Sequence, residues 1–400
     1  MNILMPNHNV RGRSTYLRCL HFARQLVRRG HSVDLLTISP DKKFSFRSEQ
    51  VDGVIIIESP DLLKGKLRTG WDPWNTLRRV GFLRKRNYDL VHAFDSRPAV
   101  VFPALYCKYM KKIPMVMDWA DWWGRGGAIS ERDVGILNTM FAPVETFFEE
   151  RFRKHADGLT FTSKALVERA VAMGLGRNKM LLVSSGSDVE GIKPIPRRTA
   201  RHELGLAGDF PMALFAGFVQ YDLELVLRSF ALALEEEPRA KLMLVGPESP
   251  LTSELGRELG ISDDIIETGA VPYDDMDQYL SAADVLLLPL RDSITNRGRQ
   301  PIKTGDYMAA GRAIVANHVG EVGIALEESG FGLAAGETPQ EFADAILSLF
   351  RDRDMAEALG RRAREMAETR YSWHTMTDKL ESFYRQVVES SKGNKADENN

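Results

Sequence analysis

Short apolar, β-branched runs alternate with stretches of helical period along the whole chain, the pattern of parallel sheets built from strand-helix-strand units. A first series predicts strands at 2–5, 32–38, 53–58, 89–93, 114–118 and 158–162. After 2–5 the chain passes a loop holding Gly12 and enters a helix in which Leu17, Leu20, Ala23 and Val27 recur at helical spacing until Gly30 stops it. A second series predicts strands near 180–184 and at 211–218, 241–246, 265–268, 284–288 and 313–316, with amphipathic helices between them. Each series reads as one doubly wound α/β sheet.

Between the two series, IKPIPRRTA at 192–200 has two prolines, basic residues and no apolar period, so it reads as a linker with the boundary near residue 190. The expected organisation is an N-terminal Rossmann-like domain over 1–190 and a C-terminal one over 191–372. A last apolar-periodic helix, 373–390, is expected to pack back on the N-terminal domain, and a polar tail, 391–400, to be disordered. The length of 400 residues, beyond what one core normally supports, agrees with two domains. Two facing doubly wound domains bind ligands at the carboxyl ends of their strands, so the site is expected in the cleft between them.

Composition narrows the class. Apolar residues make up 44% and charged residues 27%, which excludes a disordered or fibrous chain. Two cysteines, Cys19 and Cys107, build neither a disulfide framework nor a four-cysteine zinc site, so a reducing, cytoplasmic location is expected. No window reaches the roughly 18 apolar residues of a spanning helix, and the opening MNILMPNHNV has no secretory pattern. The net charge of −2 hides an asymmetry: residues 1–180 hold 30 Lys and Arg against 18 Asp and Glu, residues 181–400 hold 23 against 37. The first half therefore suits an anionic partner.

The loops carry the candidate chemistry. In NRGRQPIKTGDYMAAGRAIVANHVGE (296–321), Arg297, Arg299 and Lys303 precede or open a helix that Pro301 can start, a diphosphate-sized anion site. Asp306 lies one turn further on the same face, where it either accepts from ribose hydroxyls or pairs Lys303. PMVMDWADWWGRGG (114–127) crowds Trp119, Trp122 and Trp123 around Asp118 and Asp121, a composition suited to stacking on a sugar and holding its hydroxyls, or else to core packing and capping. A metal reading of DWAD lacks a third ligand, and no metal site is expected. His92 ends a strand, with Asp95 and Arg97 following, and either meets substrate or bonds a neighbouring loop. No GxGxxG follows the first strand, which weighs against a dinucleotide-dependent dehydrogenase. Residues 64–86 hold eight Lys or Arg and one acid with Trp71, Trp74 and Phe82 interleaved, a pattern for peripheral docking on an anionic membrane or for a solvated helix; nucleic acid is not expected.

The serial landmarks RCLHFARQLVRRGHSVDLLT, YDLVHAFDSRPAV, HADGLTFTSKALVERAVAMG, VSSGSDVEGIKP, LMLVGP, VPYDDMDQYLSAADVLLLPL and PIKTGDYMAAGRAIVANHVGE resemble, in their order, the retaining glycosyltransferases of the GT-B fold, family 4. The resemblance implies transfer of a sugar from a nucleoside diphosphate sugar (UDP or GDP) to a glycan or lipid-linked acceptor in cell-surface polysaccharide synthesis, with retention, no metal and no cofactor beyond that co-substrate. Taken with the residue readings above, Gly12, Gly217, Gly246, Pro247, Val271, Arg297, Arg299, Lys303 and Asp306 are expected to bind donor, Asp118, Asp121 and His92 to act in catalysis, and the three tryptophans to meet sugar and acceptor. Asp306 matches the second acid of the family's E-x7-E motif. Three departures stand beside it: Gly298 replaces the first acid, 216–226 lacks the family's Arg and Lys, and Ala120 stands where a histidine is common. They motivate an alternative, an inactive GT-B-shaped partner in a glycan assembly complex. A sugar epimerase would want acids clustered about a histidine on the C-terminal side, which holds only His202, His318 and His374.

Overall fold

The computed structural model describes all residues except 13–14, 42–43, 64–68, 132–135, 218–219 and 398–400. The chain forms two compact units. The first comprises Met1–Ser185, Gly298–Gln300 and Trp373–Asn400; the second comprises Gly186–Arg297 and Pro301–Ser372.

The first unit holds an eight-stranded sheet: β1 (Asn2–Val10), β2 (Ser32–Ile38), β3 (Arg47–Val51), β4 (Val54–Ser59), β5 (Leu90–Phe94), β6 (Met115–Trp119), β7 (Gly158–Phe161) and β8 (Met180–Leu182). Their order is β3-β4-β2-β1-β5-β6-β7-β8, parallel except for β3 on β4. The second unit holds six parallel strands: β9 (Met212–Ala216), β10 (Lys241–Val245), β11 (Ile265–Gly269), β12 (Val285–Leu288), β13 (Ala313–Asn317) and β14 (Gly332–Ala335), in the order β11-β10-β9-β12-β13-β14. Helices cover both faces of each sheet, so central strands such as β5, β6, β9 and β12 are buried along their length, which is why they read as unbroken apolar runs. In each sheet the strand order reverses once, between β1 and β5 and between β9 and β12, the positions where such sheets take ligands.

Several expectations are corrected. The strand near 180–184 pairs with β7, Leu159 beside Met180, and so completes the first sheet instead of opening the second. Nothing in so short a strand says which sheet it joins. The polar strand β3 and the Gly/Ala strand β14 lie at sheet edges, and neither carries an apolar alternation to mark it. The break between units falls at 185/186, and 192–200 is a packed segment: Ile192 and Ala200 are buried, a helix Arg197–Glu203 starts inside it, and Arg364 donates to the carbonyls of Val189 and Ile192. The chain expected to be disordered from 391 continues one helix, Trp373–Asp397. That helix belongs to the first unit, where Trp373, Leu380, Phe383 and Tyr384 join the core, Trp373 stacks on His21 at 4.8 Å, and Phe383 lies against Gly158.

β1 extends to Val10, well past the apolar 2–5. Its polar half is held by side chains: Thr37 Oγ1 donates to the Asn9 carbonyl at 2.7 Å and Asn7 Nδ2 to the Leu36 carbonyl at 3.4 Å. The register against β2 shifts between Pro6 and Val10, and this irregular polar end delivers His8 to the carboxyl edge of the sheet.

Candidate functional site

In the second unit the carboxyl ends of β9 and β10 terminate in Gly217 (φ +153°) and Gly246 (φ +152°), conformations that favour glycine. The Gly217 N–H donates to the Val245 carbonyl, and a Cβ on Gly246 would lie 2.6 Å from the Gly217 carbonyl oxygen. A Cβ on Gly217 would meet Lys303 Nζ at 3.0 Å. With their N–H groups bonded to the Val245 and Gly269 carbonyls, the two glycines leave the space beside Lys303 clear of side chains. Lys303 sits in the first turn of the helix Ile302–Ala310, where free N–H groups and the helix dipole add positive potential; Nζ donates to the Ala216 carbonyl at 3.1 Å and lies over the Phe215 ring. Gly217, Gly246, Pro247, Glu248 and Ser249 line a cavity there, with Pro247 exposed at its rim.

Asp306, on the same helix, is buried and accepts from the Tyr273 hydroxyl at 2.9 Å. Burial pushes its carboxyl up to about 7, against the lowering by Tyr273 and with a further push from Asp188. Tyr273, from the loop after β11, is its hydrogen-bond partner and was not singled out from the sequence. Val271 of that loop packs inward on the core of the unit.

The three basic residues expected as one anion cluster differ in their partners. Arg297 makes a two-pronged pair with Asp292, 2.6 Å at each contact, on an exposed surface, because Asp292 lies on the turn just before its short helix. Arg299 belongs to the first unit, where its charge acts on Asp121. Lys303 adjoins the glycine pair.

In the first unit, His92, Asp118 and Trp119 are corrected from site residues to interior ones. Asp118 is 1% exposed and holds Arg18 through both oxygens, at 3.0 and 3.1 Å. Thr160 Oγ1 donates to Asp118 at 2.6 Å and lies 3.0 Å from His92 Nε2, while His92 Nδ1 meets the Tyr384 hydroxyl at 2.5 Å. With the Thr160 proton on Asp118, the chain of bonds assigns Nε2–H to Thr160 and leaves Nδ1 to accept from Tyr384. Burial takes His92 down to about 3, so it stays neutral; burial opposes ionisation of Asp118, yet Arg18 holds it below the usual carboxylate range. Both residues alternate inward along parallel strands covered on both faces, and the ligand-facing strand ends lie beyond them. Trp119 is equally buried: Arg153 lies over its ring at 3.9 Å and its Nε1 donates to Glu149.

The residues left at the carboxyl edge are different. Asp121 and Trp123 are half-exposed, and Trp122 packs partly on the core with Arg169 over its ring. Glu149, unmarked in the sequence, accepts from Trp119 Nε1, Trp123 N and Gly124 N, and so shapes this loop. Partial burial raises the Asp121 carboxyl, with Arg299 and His8 pulling it back. Gly12 takes φ +85° with open space about it. Beside the strand-order reversal stand His8 at the end of β1 and Asp95 just after β5, with His8 Nδ1 2.9 Å from Asp95 Oδ2. Asp95 has φ +101°, a strained backbone for a residue with a side chain. Arg97 follows, its Nε 3.8 Å from Asp95, locked by Glu145 at 3.0 Å and lying over Trp123 at 4.8 Å. His8 was missed because its strand end is polar; the HNV after MPN is the one signal that marks it.

The comparisons follow this geometry. The model described as glycosyl transferase 4-like domain matches residues 15–186, and that described as glycosyl transferases group 1 matches 211–352. The D-inositol 3-phosphate glycosyltransferase of Saccharomonospora viridis is 26% identical, covering 93% of this chain and 88% of that protein. Among solved structures, the sucrose-phosphate synthase from Thermosynechococcus elongatus superposes with TM-score 0.76 at 17% identity over 98% of this chain and all of that one. Anabaena HepE, solved with UDP and glucose, gives 0.69 at 17% identity over 96% of this chain and all of its own. Two Rossmann-like units, two matching models and a full-length relative converge: the chain is a glycosyltransferase of the GT-B fold and belongs to family 4, the group 1 glycosyl transferases.

Proposed function

We propose that the protein transfers a sugar from a nucleoside diphosphate donor, UDP- or GDP-linked, to a hydroxyl of a glycan or lipid-linked acceptor in cell-surface polysaccharide synthesis, with retention at the anomeric carbon and without metal or further cofactor. The observation that carries this reading is Lys303 at the start of a helix, beside Gly217 and Gly246, which put no side chain in front of it. A departing diphosphate gathers negative charge, and preorganised N–H groups with one ammonium stabilise it most where water is excluded. Asp306 beside Tyr273 supplies a ribose acceptor, and the loops bearing Pro247 and Val271 flank the base. The relative's named substrate, an inositol phosphate, and the UDP and glucose found with HepE support the donor and polyol classes.

Acceptor handling falls to the first unit, whose basic excess also suits the cytoplasmic face of an anionic membrane. In 64–86, residues 64–68 lie outside the described chain, Arg79 is wholly buried on the carbonyls of Asn7 and Ala99, and Trp71 packs edge-on to Phe148; the exposed residues among 69–86 are Pro73, Leu77, Gly81, Arg84 and Lys85. No helix among the described residues is long and apolar enough to cross a membrane. Flotation with anionic liposomes in rising salt tests the docking, and no binding at low salt removes it.

The donor assignment is tested by melting the protein against nucleoside diphosphates and their sugars. A ligand of the folded state stabilises by about 2.7 kcal/mol at a hundred times its dissociation constant. One base should shift the melt, and Lys303→Ala should abolish the shift; silence across all of them refutes the donor site.

A further inference from the structure

We propose that a cavity at the amino edge of the second sheet binds a small phosphate ester, at a place apart from Lys303 and the glycine pair. The cavity measures about 530 Å³, inside the usual range for small-molecule sites. It lies where β9, β12 and β13 begin: Pro211, Asp284 and Arg312 immediately precede those strands, and all three line it. Lys303 and Gly217 stand at the opposite, carboxyl edge. The four residues of β12 alone put roughly 10 Å of sheet between the two edges.

The walls carry five arginines, Arg197, Arg198, Arg312, Arg353 and Arg361, against the carboxylates of Asp284 and Glu357. Both acids are taken. Asp284 receives Arg197 on one oxygen, and on the other Arg201 at 2.9 Å and the Met212 N–H at 2.8 Å. Glu357 lies 3.7 Å from Arg361, and Arg353 has Asp209 at 3.5 Å. Arg312 bonds only carbonyls among the described residues. Its Nη2 reaches Ile195 at 2.6 Å and Ser281 at 2.8 Å, and its Nε reaches Ser281 and Ala283 at 3.1 and 3.2 Å. Nη1 has just the long 3.4 Å contact to the Gly311 carbonyl. Arg197 uses Nη1 for Asp284 and keeps Nε and Nη2 without a hydrogen bond among the described residues.

Like charges crowded in this way oppose one another. Burial first, and then the charge of Arg197, brings Arg312 down to about 10, and the same two causes bring Arg201 to about 10. Holding guanidinium groups together in a concave place against their repulsion is what an anion site requires. Backbone packing fixes the place. Gly311, at φ +65°, ends the helix Ile302–Ala310 and delivers Arg312 to the cavity. A Cβ on Gly360 would lie 2.5 Å from the Gly311 carbonyl oxygen, so the helix Arg353–Thr369 is pressed against this turn and its first turn, bearing Arg353 and Ala356, forms part of the wall.

Guanidinium forks match phosphate oxygens, which sets the charged end of the ligand. A phosphate group alone leaves most of the cavity unfilled, and Pro194, Pro196, Leu349 and Phe350 give the remainder an apolar wall for a carbon body.

Isothermal titration of the full chain with inorganic phosphate and with glycerol 3-phosphate, at ionic strength fixed by chloride, tests the site. Both should bind, the ester more tightly. Arg197→Gln should fold, because Asp284 keeps Arg201 and the Met212 N–H, and should weaken both probes by about tenfold or more. Arg353→Gln, at an exposed position, should weaken them as well, whereas Lys303→Ala should leave both affinities unchanged. No binding of either probe, or native affinity in both arginine variants, overturns the site. Loss of binding in Lys303→Ala assigns the anion to the carboxyl edge and overturns it equally, and an ester no tighter than inorganic phosphate overturns the ligand class.

Discussion

Asp306 offers the sharpest test of the second unit, because its environment makes opposite demands in the free and liganded states. Burial raises its carboxyl from 3.8 to about 7. The folded chain therefore holds this proton between those pH values and the unfolded chain does not. Stability must fall as pH rises from 4 to 7, by about 1.4 kcal/mol per unit, and level off above. Across the whole interval that is about 4 kcal/mol; from pH 5 to pH 8 about 3 kcal/mol remains. Asp306→Asn removes the titration while its amide oxygen still accepts from Tyr273. Urea unfolding of both proteins at pH 5 and pH 8 should show the variant gaining about 3 kcal/mol on the native protein at the higher pH. All six tryptophans lie in the first unit, so far-ultraviolet ellipticity, which reports on both units, follows the transition. A stability gap between the two proteins that does not change with pH refutes the reasoning. Ribose hydroxyls donate to the ionised form, so nucleoside diphosphate affinity should rise with pH toward 7, at most tenfold per unit, and lose that dependence in the variant.

Three further outcomes are expected. Lys303→Ala should fold, since its ammonium bonds one carbonyl at 3.1 Å, yet lose about 10²-fold or more in donor turnover; unchanged turnover by coupled detection of released diphosphate counts against it. Gly246→Ala should cost about 1–3 kcal/mol and weaken nucleotide binding, because its Cβ meets the Gly217 carbonyl backbone at 2.6 Å and cannot be moved aside; a neutral melt refutes the close approach. Arg18→Met should destabilise the first unit by about 3–5 kcal/mol, read by tryptophan fluorescence in urea, because it leaves Asp118 charged and uncompensated in the interior; a variant as stable as the native protein shows that the pair is dispensable.

What was legible in the chain follows from what period and punctuation can carry. Buried parallel strands announce themselves as apolar runs, so β5, β6, β9, β12 and β13 were found where they lie. Edge strands β3 and β14 and the short β8 carry too little pattern to be placed, and sheet membership is a tertiary property that no local window contains. At the sites, backbone devices were readable: glycines at strand ends, proline before a helix, lysine in its first turn. Side-chain networks were not. His92 and Asp118 sit at the ends of strands in sequence, as functional groups do, but the pleat turns them into a bonded interior chain with Arg18 and Tyr384, the latter nearly three hundred residues away from His92. Spacing also joined Arg297 to Arg299 and Lys303, and did not show that Asp292 pairs it.

The two strand-order reversals carry different chemistry, and the difference follows from what each must hold. In the second unit the reversal presents glycine backbone, one lysine and a carboxyl that burial keeps protonated near neutrality. Such an edge is sparse in side chains, so a diphosphate can approach the helix N-terminus and its lysine closely while the field stays positive. In the first unit the reversal is dense with charge already paired: Asp95 with His8 and Arg97, Arg97 with Glu145. Paired charges contribute little net field, so this edge attracts no phosphate by charge alone; what it offers is one oriented imidazole and the half-exposed Asp121. Nucleotide binding strength should therefore follow substitutions in the second unit, at Lys303 above all. If Arg97→Ala weakened nucleotide binding as strongly as Lys303→Ala, that reasoning would fail, and the paired charges of the first edge would attract phosphate after all.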